Sequence, residues 1–197
     1  MRVFLLRHGE TFWNADGNRY CGRTDIGLTE KGMAQAHMVK TQLARTDLAA
    51  VYSSPLQRAR ITAEIASGKD VLTDDRIIEA DFGQWEGKTK EEFLAEIPDS
   101  WTKWMADPFQ HRAGYTGETG AEIVSRVDAF FQQLLQAHQN QTVLVVAHNG
   151  VNRLYMAHKL GMPLSNYRQL VQHNSSITCF ELDEKGTLTL EYLNAKI

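Results

Sequence analysis

The sequence predicts an α/β protein in which helices cover both faces of a mostly parallel sheet. Short, unbroken apolar runs alternate with segments of helical periodicity, an order typical of this class. Three such runs, which suit strands covered on both faces, are residues 3–6, 50–52 and 143–147. The segments 177–182 and 188–193, separated by Lys185-Gly186, predict a hairpin. We therefore expect a three-layer sandwich with an antiparallel edge on its central sheet.

Four helices are predicted between these strands, because apolar residues recur there at helical spacing. Each predicted helix is preceded by residues that favour a helix N-terminus. In chain order these are Thr29, Ser54 followed by Pro55 at the first helical position, the capping box of Thr119 and Glu122, and Asn149.

The 197 residues are expected to form one domain, because no repeat or linker divides the chain. Residues 80–118 are less regular than the rest, and they contain three tryptophans. We expect them to form a small helical, cap-like insertion over the active-site end of the sheet. Trp85, Trp101, Trp104 and Tyr115 are candidates for an apolar wall around a heterocycle, and the alternative is that they pack on one another.

Composition excludes several classes of protein. The net charge is −3, from 21 Lys and Arg against 24 Asp and Glu, which is not that of a generally basic nucleic-acid binder. The longest apolar runs are far shorter than the ~20 residues of a membrane helix. Cys21 and Cys179 lie far apart and have no zinc-site spacing, as expected for free thiols in a reducing cytoplasm. We expect a cytoplasmic protein that binds neither nucleic acid nor membranes.

Charged and imidazole side chains follow the predicted strands at the edge where α/β sheets bind ligands. Arg7-His8 follow the first strand, Arg58 lies just beyond the second, and His148-Asn149 follow the third. Arginine forks suit phosphate, and a neutral imidazole can attack phosphorus. Backbone N–H groups at Asn149 and the next residue would add donors for a phosphate at a helix N-terminus. The sequence therefore predicts a phosphate site in which two histidines converge.

Two points stay open at this level. A metal site is the competitor, since His8, His148 and Glu79 are possible ligands, but neighbouring arginines would repel a cation and no HExxH pattern occurs. We therefore expect no metal and no cofactor. Phosphoryl transfer also needs a proton donor to the leaving oxygen, and the spacing does not choose between Glu79, Asp81 and Glu86. Gly9 and Gly150 are expected to let the backbone approach the ligand closely.

Five ordered segments together resemble the histidine phosphatase superfamily, with its phosphoglycerate-mutase-like fold, and the resemblance runs nearly end to end. The segments are Arg7-His8-Gly9-Glu10-Thr11 with Trp13-Asn14; Asp25 to Ala36; Ser53 to Ala59 with Thr62-Ala63; Glu79 to Gly87 with Gly117-Glu118 and Arg126-Val127; and Val145 to Gly150. The resemblance implies that His8 is the nucleophile that becomes phosphorylated and that Glu79 is the proton donor. It implies that Arg7, Asn14, Arg58 and His148 bind the phosphoryl group.

The family includes mutases as well as phosphatases. Mutases of this kind carry a longer, basic insertion that closes over the site, whereas only 29 residues separate Gly87 from Gly117 here. We therefore expect a phosphatase that acts on phosphate monoesters of small metabolites. The stretch 143–163 is similar to α-ribazole phosphatases, which makes α-ribazole phosphate one candidate. A phosphoglycerate mutase is the alternative, a non-catalytic phosphate-binding module is a minor one, and the protein is expected to be a monomer or homodimer.

Overall fold

A six-stranded sheet forms the centre of the molecule in the computed structural model, which describes residues 1–195. The strands are β1 (Arg2–Arg7), β2 (Ala50–Ser53), β3 (Leu72–Thr73), β4 (Thr142–Ala147), β5 (Ile177–Leu182) and β6 (Leu188–Ala195). Their order is β3-β2-β4-β1-β5-β6. The pairs among β1 to β4 are parallel, whereas β5 pairs antiparallel with β1 and β6. The mostly parallel sheet with an antiparallel edge is thus confirmed.

Seven helices accompany these strands within the described residues. They are α1 (Phe12–Ala15), α2 (Glu30–Gln42), α3 (Gln57–Ser67), α4 (Lys90–Glu96), α5 (Pro98–Ala106), α6 (Gly120–Ala137) and α7 (Asn149–Lys159). Short 3-10 helices cover Asp75–Ile77, Gly83–Trp85 and Leu164–Gln169. The short strand β3 was not predicted, because both of its residues are exposed and form no apolar run.

The strands bury side chains on both faces, as their unbroken apolarity predicts. Val3 and Leu5 of β1 point to a core shared with α6 and α7, while Phe4 and Leu6 point to a second core shared with α2 and α3. This alternation follows from the two-residue period of a strand. The three-layer sandwich is therefore confirmed.

Two of the four predicted helix starts are wrong in detail. The capped starts at Thr29 and Thr119 are confirmed by hydrogen bonds from the side chains to the first turn. Helix α3 begins at Gln57, because the Ser54 hydroxyl instead accepts the Leu56 N–H in a preceding turn. Asn149 is the first residue of α7, and His148 occupies the cap position without a side-chain bond.

The segment 80–118 contains α4 and α5 and packs through aromatic rings. Trp85 and Trp104 are fully buried, and their indole N–H groups donate to Ser100 Oγ at 2.8 Å and to Tyr167 Oη at 3.3 Å. Trp101 packs on the same cluster, and Tyr115 is exposed. The three tryptophans thus pack in the interior, and none of the four aromatic residues lines the cavity beside His8. Within residues 1–195, no helix has the length and apolarity needed to cross a membrane.

Candidate active site

Strand register brings the two candidate histidines together. Arg7 of β1 is paired with Ala147 of β4, so His8 and His148 leave neighbouring parallel strands at the same level. The His8 N–H still donates to the Ala147 carbonyl at 3.0 Å. The two imidazole rings lie 5.1 Å apart between centroids at an interplanar angle of 58°. The predicted convergence at the carboxyl edge of the sheet therefore occurs.

Hydrogen bonds assign different tautomers to the two neutral rings. His8 Nδ1 lies 2.7 Å from the Gly9 carbonyl, which can only accept, so Nδ1 carries the proton and Nε2 keeps its lone pair. His148 Nδ1 accepts from Arg58 Nε at 3.3 Å, so the proton of His148 is on Nε2. That buried Nε2 has no hydrogen-bond partner among the described residues. One ring thus offers a lone pair and the other an unused donor.

Burial keeps both imidazoles neutral. It lowers the pKa of His8 well below 6.5, and the charges of Arg58 and Arg7 lower it further. The pKa of His148 is lowered in the same way, first by burial and then by Arg58 and His8. At neutral pH, His8 is therefore an uncharged base whose Nε2 is free.

Arg7 and Arg58 occupy different positions relative to these rings. The Arg7 Nη1 atom donates to the Gln172 carbonyl at 3.1 Å, while its buried Nε has no partner in the described chain. Arg58 has no solvent exposure and lies behind His148. Its Nη atoms donate to the carbonyls of Cys21, Gly22 and Thr24, so these bonds hold the 21–24 loop.

The Glu79 carboxylate lies at the N-terminus of α7. It accepts the N–H of Gly150 at 3.1 Å, that of Val151 at 3.0 Å and that of Ala80 at 2.9 Å. A Cβ atom on Gly150 would lie 2.7 Å from Glu79 Oε1, so the glycine makes room for this carboxylate. The expectation that the backbone N–H groups at this helix end bind a phosphate is wrong for Gly150, because its N–H donates to Glu79.

The other expected close approach is also different from the prediction. A Cβ atom on Gly9 would lie 2.5 Å from the Gly32 carbonyl oxygen. Gly9 is therefore required for the packing of the post-β1 loop on the start of α2, rather than for contact with a ligand.

A partly buried arginine fixes the segment that carries Glu79. Arg126 of α6 donates to the carbonyls of Arg76, Ile78 and Glu79 and forms an ion pair with Glu118 at 2.9 Å. A single planar guanidinium thus donates to three backbone carbonyls within residues 76–79. Arg126 and Glu118 do not line the cavity described below. Their contribution to the site is therefore to hold the segment that carries Glu79.

A cavity of about 300 Å³ opens beside His8. Of the predicted residues, those that line it are Arg7, His8, Asn14, Glu79, Asn149 and Gly150. Asp81 and Glu86 do not line it, because Asp81 caps the 83–85 turn and Glu86 accepts the N–H groups of Gly22 and Thr24. Among the three candidate proton donors, Glu79 is therefore the one at the cavity. Arg58 and His148 lie behind its wall.

The two predicted asparagines are placed at the cavity in different ways. The Asn14 Oδ1 atom accepts from Thr11 N–H and from Asn174 Nδ2, and its Nδ2 donates to Asn18. Asn149 Oδ1 is buried and has no partner among residues 1–195. Asn14 thus shapes the rim, while Asn149 presents an unused acceptor.

Part of the cavity lining was not predicted as part of the site. It includes Tyr20, Arg153, Tyr167 and Arg168. Arg153 follows the predicted site residue Asn149 by four residues on α7, a spacing that places both on one face of the helix, so the sequence did contain this signal. Arg168 lies in a 3-10 helix and reaches the cavity only through tertiary packing.

Within the described chain, no group of three or more His, Cys, Asp or Glu residues is placed to hold a metal ion. Cys21 lines the cavity and Cys179 is buried, and both are free. Burial raises the pKa of Cys21 to about 11, which keeps this thiol protonated.

Comparison with known proteins agrees with this geometry. A family model described as the histidine phosphatase superfamily (branch 1) matches residues 3–195. The chain belongs to the histidine phosphatase superfamily. Phosphoserine phosphatase 1 of Hydrogenobacter thermophilus is 36% identical over 195 residues, which cover 97% of this chain and 91% of the relative. The adenosylcobalamin/α-ribazole phosphatase of Escherichia coli is 31% identical over 199 residues, covering 100% and 97%.

A solved structure supports the same assignment. A mutant phosphoserine phosphatase from Entamoeba histolytica in complex with phosphoserine has a TM-score of 0.88 at 32% identity, covering 99% of this chain and 97% of the other. This histidine phosphatase is therefore a phosphoric monoester hydrolase with phosphatase relatives along its whole matched length. The resemblance inferred from the five sequence segments is confirmed.

Proposed function

We propose that this protein hydrolyses phosphate monoesters of small metabolites without a metal ion, through a phosphohistidine on His8. The observation that carries the proposal is the pair of complementary tautomers. His8 Nε2 holds a free lone pair, and His148 Nε2–H is a buried donor that lacks a partner in the described chain. In a bound phosphate ester, His8 Nε2 would attack the phosphorus atom and His148 Nε2–H would donate a hydrogen bond to a phosphoryl oxygen.

The first step forms a bond between His8 Nε2 and phosphorus and breaks the bond to the ester oxygen. Arg7 Nε, the second unpartnered buried donor, would stabilise the equatorial oxygens together with His148. The arginine charges replace the metal ions that many phosphoryl-transfer sites use. Arg58 would act mainly by holding His148 in its Nε2–H tautomer, while Asn14 and Asn149 would orient the ester at the rim.

Glu79 would give its proton to the departing oxygen and then remove a proton from the water that cleaves the phosphohistidine. Its place in the cavity lining, beside His8, supports this role. Hydrolysis of the intermediate restores neutral His8 and protonated Glu79 and releases inorganic phosphate, so atoms and charges balance over the cycle.

Water is proposed as the acceptor, rather than a second substrate hydroxyl as in a mutase. The segment 80–118 contributes Phe82 alone to the cavity lining, so this insertion does not enclose a phosphorylated His8. Phosphate monoesters of small metabolites are the proposed class, with α-ribazole phosphate one candidate. We further propose a cytoplasmic monomer or homodimer that needs no nucleic acid, membrane or cofactor.

The direct test is hydrolysis of p-nitrophenyl phosphate by the purified protein in excess EDTA. We expect full activity in EDTA, loss of turnover in His8→Ala, and unchanged turnover in His158→Ala, which alters an exposed histidine of α7. Activity that EDTA abolishes and a metal restores would contradict the metal-free reaction. Substantial turnover by His8→Ala would contradict the nucleophile. Glu79→Gln should slow the hydrolysis of an alkyl phosphate more than that of p-nitrophenyl phosphate, whose leaving group needs less help from an acid. Equal losses of rate on both esters would contradict the role of Glu79 as the proton donor.

A further inference from the structure

Two arginines that line the cavity form no ion pair with an acid among the described residues. Arg153 comes from α7, and Arg168 comes from the 164–169 turn. In residues 1–195, seven of the twelve arginines form an ion pair with a carboxylate, but these two do not. The remaining three are Arg7, Arg58 and the exposed Arg45. Unpaired arginines are thus concentrated at and behind the cavity.

Aromatic rings, rather than carboxylates, hold the two guanidinium groups in place. Arg153 lies 5.2 Å and Arg168 lies 6.0 Å from the ring centroid of the buried Tyr167. Arg168 also lies 5.1 Å from the Trp101 ring and donates to Tyr20 Oη at 3.3 Å. Cation–π contacts fix the position of a guanidinium while leaving its in-plane N–H donors available.

Arg153 is additionally fixed to the helix that begins at the reactive centre. Its Nε donates to the Asn149 carbonyl at 3.1 Å, and no bond from its Nη atoms is recorded within the described residues. Burial lowers the pKa of Arg7, Glu79 opposes this effect, and the charge of Arg153 is close enough to lower the pKa further. Arg153 and Arg168 therefore line the same cavity as Arg7 and His8.

The charge of the cavity exceeds what one phosphate needs. Its lining contains four arginines and one acid among the described residues: Arg7, Arg19, Arg153 and Arg168, with Glu79. Arg19 is already paired with Asp16 and Glu92. The two negative charges of a phosphate monoester would be balanced by Arg7 and by Arg58, which lies behind the neutral His148. Two cations then remain without a counter-charge, which is the arrangement expected where a second anion binds.

We infer that Arg153 and Arg168 bind a carboxylate of the substrate, so that the preferred substrates are phosphate monoesters of small carboxylic acids. The inference rests on the proposed phosphatase function and specifies its substrate class. A planar carboxylate matches the paired N–H donors of a guanidinium, and Tyr167 holds the two guanidinium groups on one wall. An uncharged leaving group would leave both cations without a counter-charge.

The test compares O-phosphoserine with O-phosphoethanolamine, which differ by the carboxylate alone. We expect kcat/KM to favour phosphoserine at least about tenfold, since hydrogen bonds to charged groups contribute about 1.5–3 kcal/mol. Arg168→Gln should reduce this preference to less than about threefold, and Arg168→Lys, which keeps the charge, should retain most of it. The matched control is Arg45→Gln, an exposed and unpaired arginine outside the cavity, and it should leave the preference unchanged.

Binding to the His8→Ala variant separates this inference from the proposed reaction. Calorimetry should show the same preference for phosphoserine, lost in the His8→Ala, Arg168→Gln double variant. Equal binding and equal hydrolysis of the two esters would overturn the carboxylate site while leaving the phosphatase mechanism intact. Preferential binding without hydrolysis of any ester would overturn the mechanism and support the site. A higher kcat/KM for α-ribazole phosphate than for phosphoserine would also count against the carboxylate site.

Discussion

Glu79 and Gly150 lie in direct contact, with the Gly150 N–H donating to Glu79 Oε2 at 3.1 Å and no space for a side chain between them. The N–H groups in the first turn of α7 therefore bind a side chain of the protein itself. A phosphate at this edge of the sheet would rely on side-chain donors. Because α7 follows β4 and His8 follows the parallel strand β1, the proposed proton donor and nucleophile are held at the same edge of the sheet.

This contact predicts that Gly150→Ala displaces the proposed acid. The added Cβ would lie 2.7 Å from Glu79 Oε1, so the carboxylate must move. We expect kcat for an alkyl phosphate to fall by about 10²-fold or more, the lower range of general acid catalysis. Gly27→Ala is the control, because its Cβ would meet Gln57 Oε1 at an ordinary 3.5 Å. Steady-state kinetics on both variants check this, and an unimpaired Gly150→Ala enzyme would refute the role of the contact.

Arg58 is expected to be irreplaceable by lysine. A single ammonium cannot donate at once to Gly22, Thr24 and His148 Nδ1 as the planar guanidinium does. We expect Arg58→Lys to lose about 1–3 kcal/mol of stability from unsatisfied buried groups, with a large loss of kcat.

Arg60→Lys on the same helix provides the comparison. Arg60 forms an exposed pair with Glu64, so its replacement should change stability by less than about 0.5 kcal/mol. Urea unfolding and p-nitrophenyl phosphate kinetics measure both effects. Similar behaviour of the two variants would contradict the role assigned to Arg58.

The buried neutral histidines predict acid sensitivity of the fold. Because the folded-state pKa values of His8 and His148 lie below the usual 6.5, the unfolded chain binds more protons as the pH falls below that value. Stability should therefore decrease from pH 6.5 towards 4.5, by up to about 1.4 kcal/mol per pH unit for each histidine. Urea unfolding at a series of pH values tests this, and His8→Asn should give a shallower slope. An unchanged slope would show that His8 is not held neutral in the folded state.

The central strands were predictable, because short unbroken apolar runs are typical of strands that are covered on both faces. Parallel strands then place whatever follows them at one edge, and this placed Arg7, His8 and His148 correctly. The use of the α7 N-terminus was not predictable, since it depends on the path of residues 77–80 around Arg126. Spacing alone did not indicate which of three acids would reach the cavity.

The place of Arg168 in the cavity lining was not predictable from the sequence, for a different reason. Arg168 follows no strand and belongs to no helical pattern, so its place at the cavity results from its packing on Tyr167 and Trp101. The helix starts at Pro55 and Asn149 were predicted from residue preference alone. The Ser54 hydroxyl instead accepts from Leu56 in a turn before α3, and His148 takes the cap position of α7. Local propensity gives the existence of an element more reliably than its first residue.

The most direct test of the account is to identify the atom that carries the phosphoryl group. The enzyme is mixed with excess substrate, quenched in alkali within milliseconds, digested and analysed by mass spectrometry and ³¹P NMR. The hydrogen bond from His8 Nδ1–H to the Gly9 carbonyl predicts phosphate on His8 Nε2 and no labelled protein in His8→Ala. Phosphate on His148, on His8 Nδ1, or on no residue during turnover would contradict the mechanism.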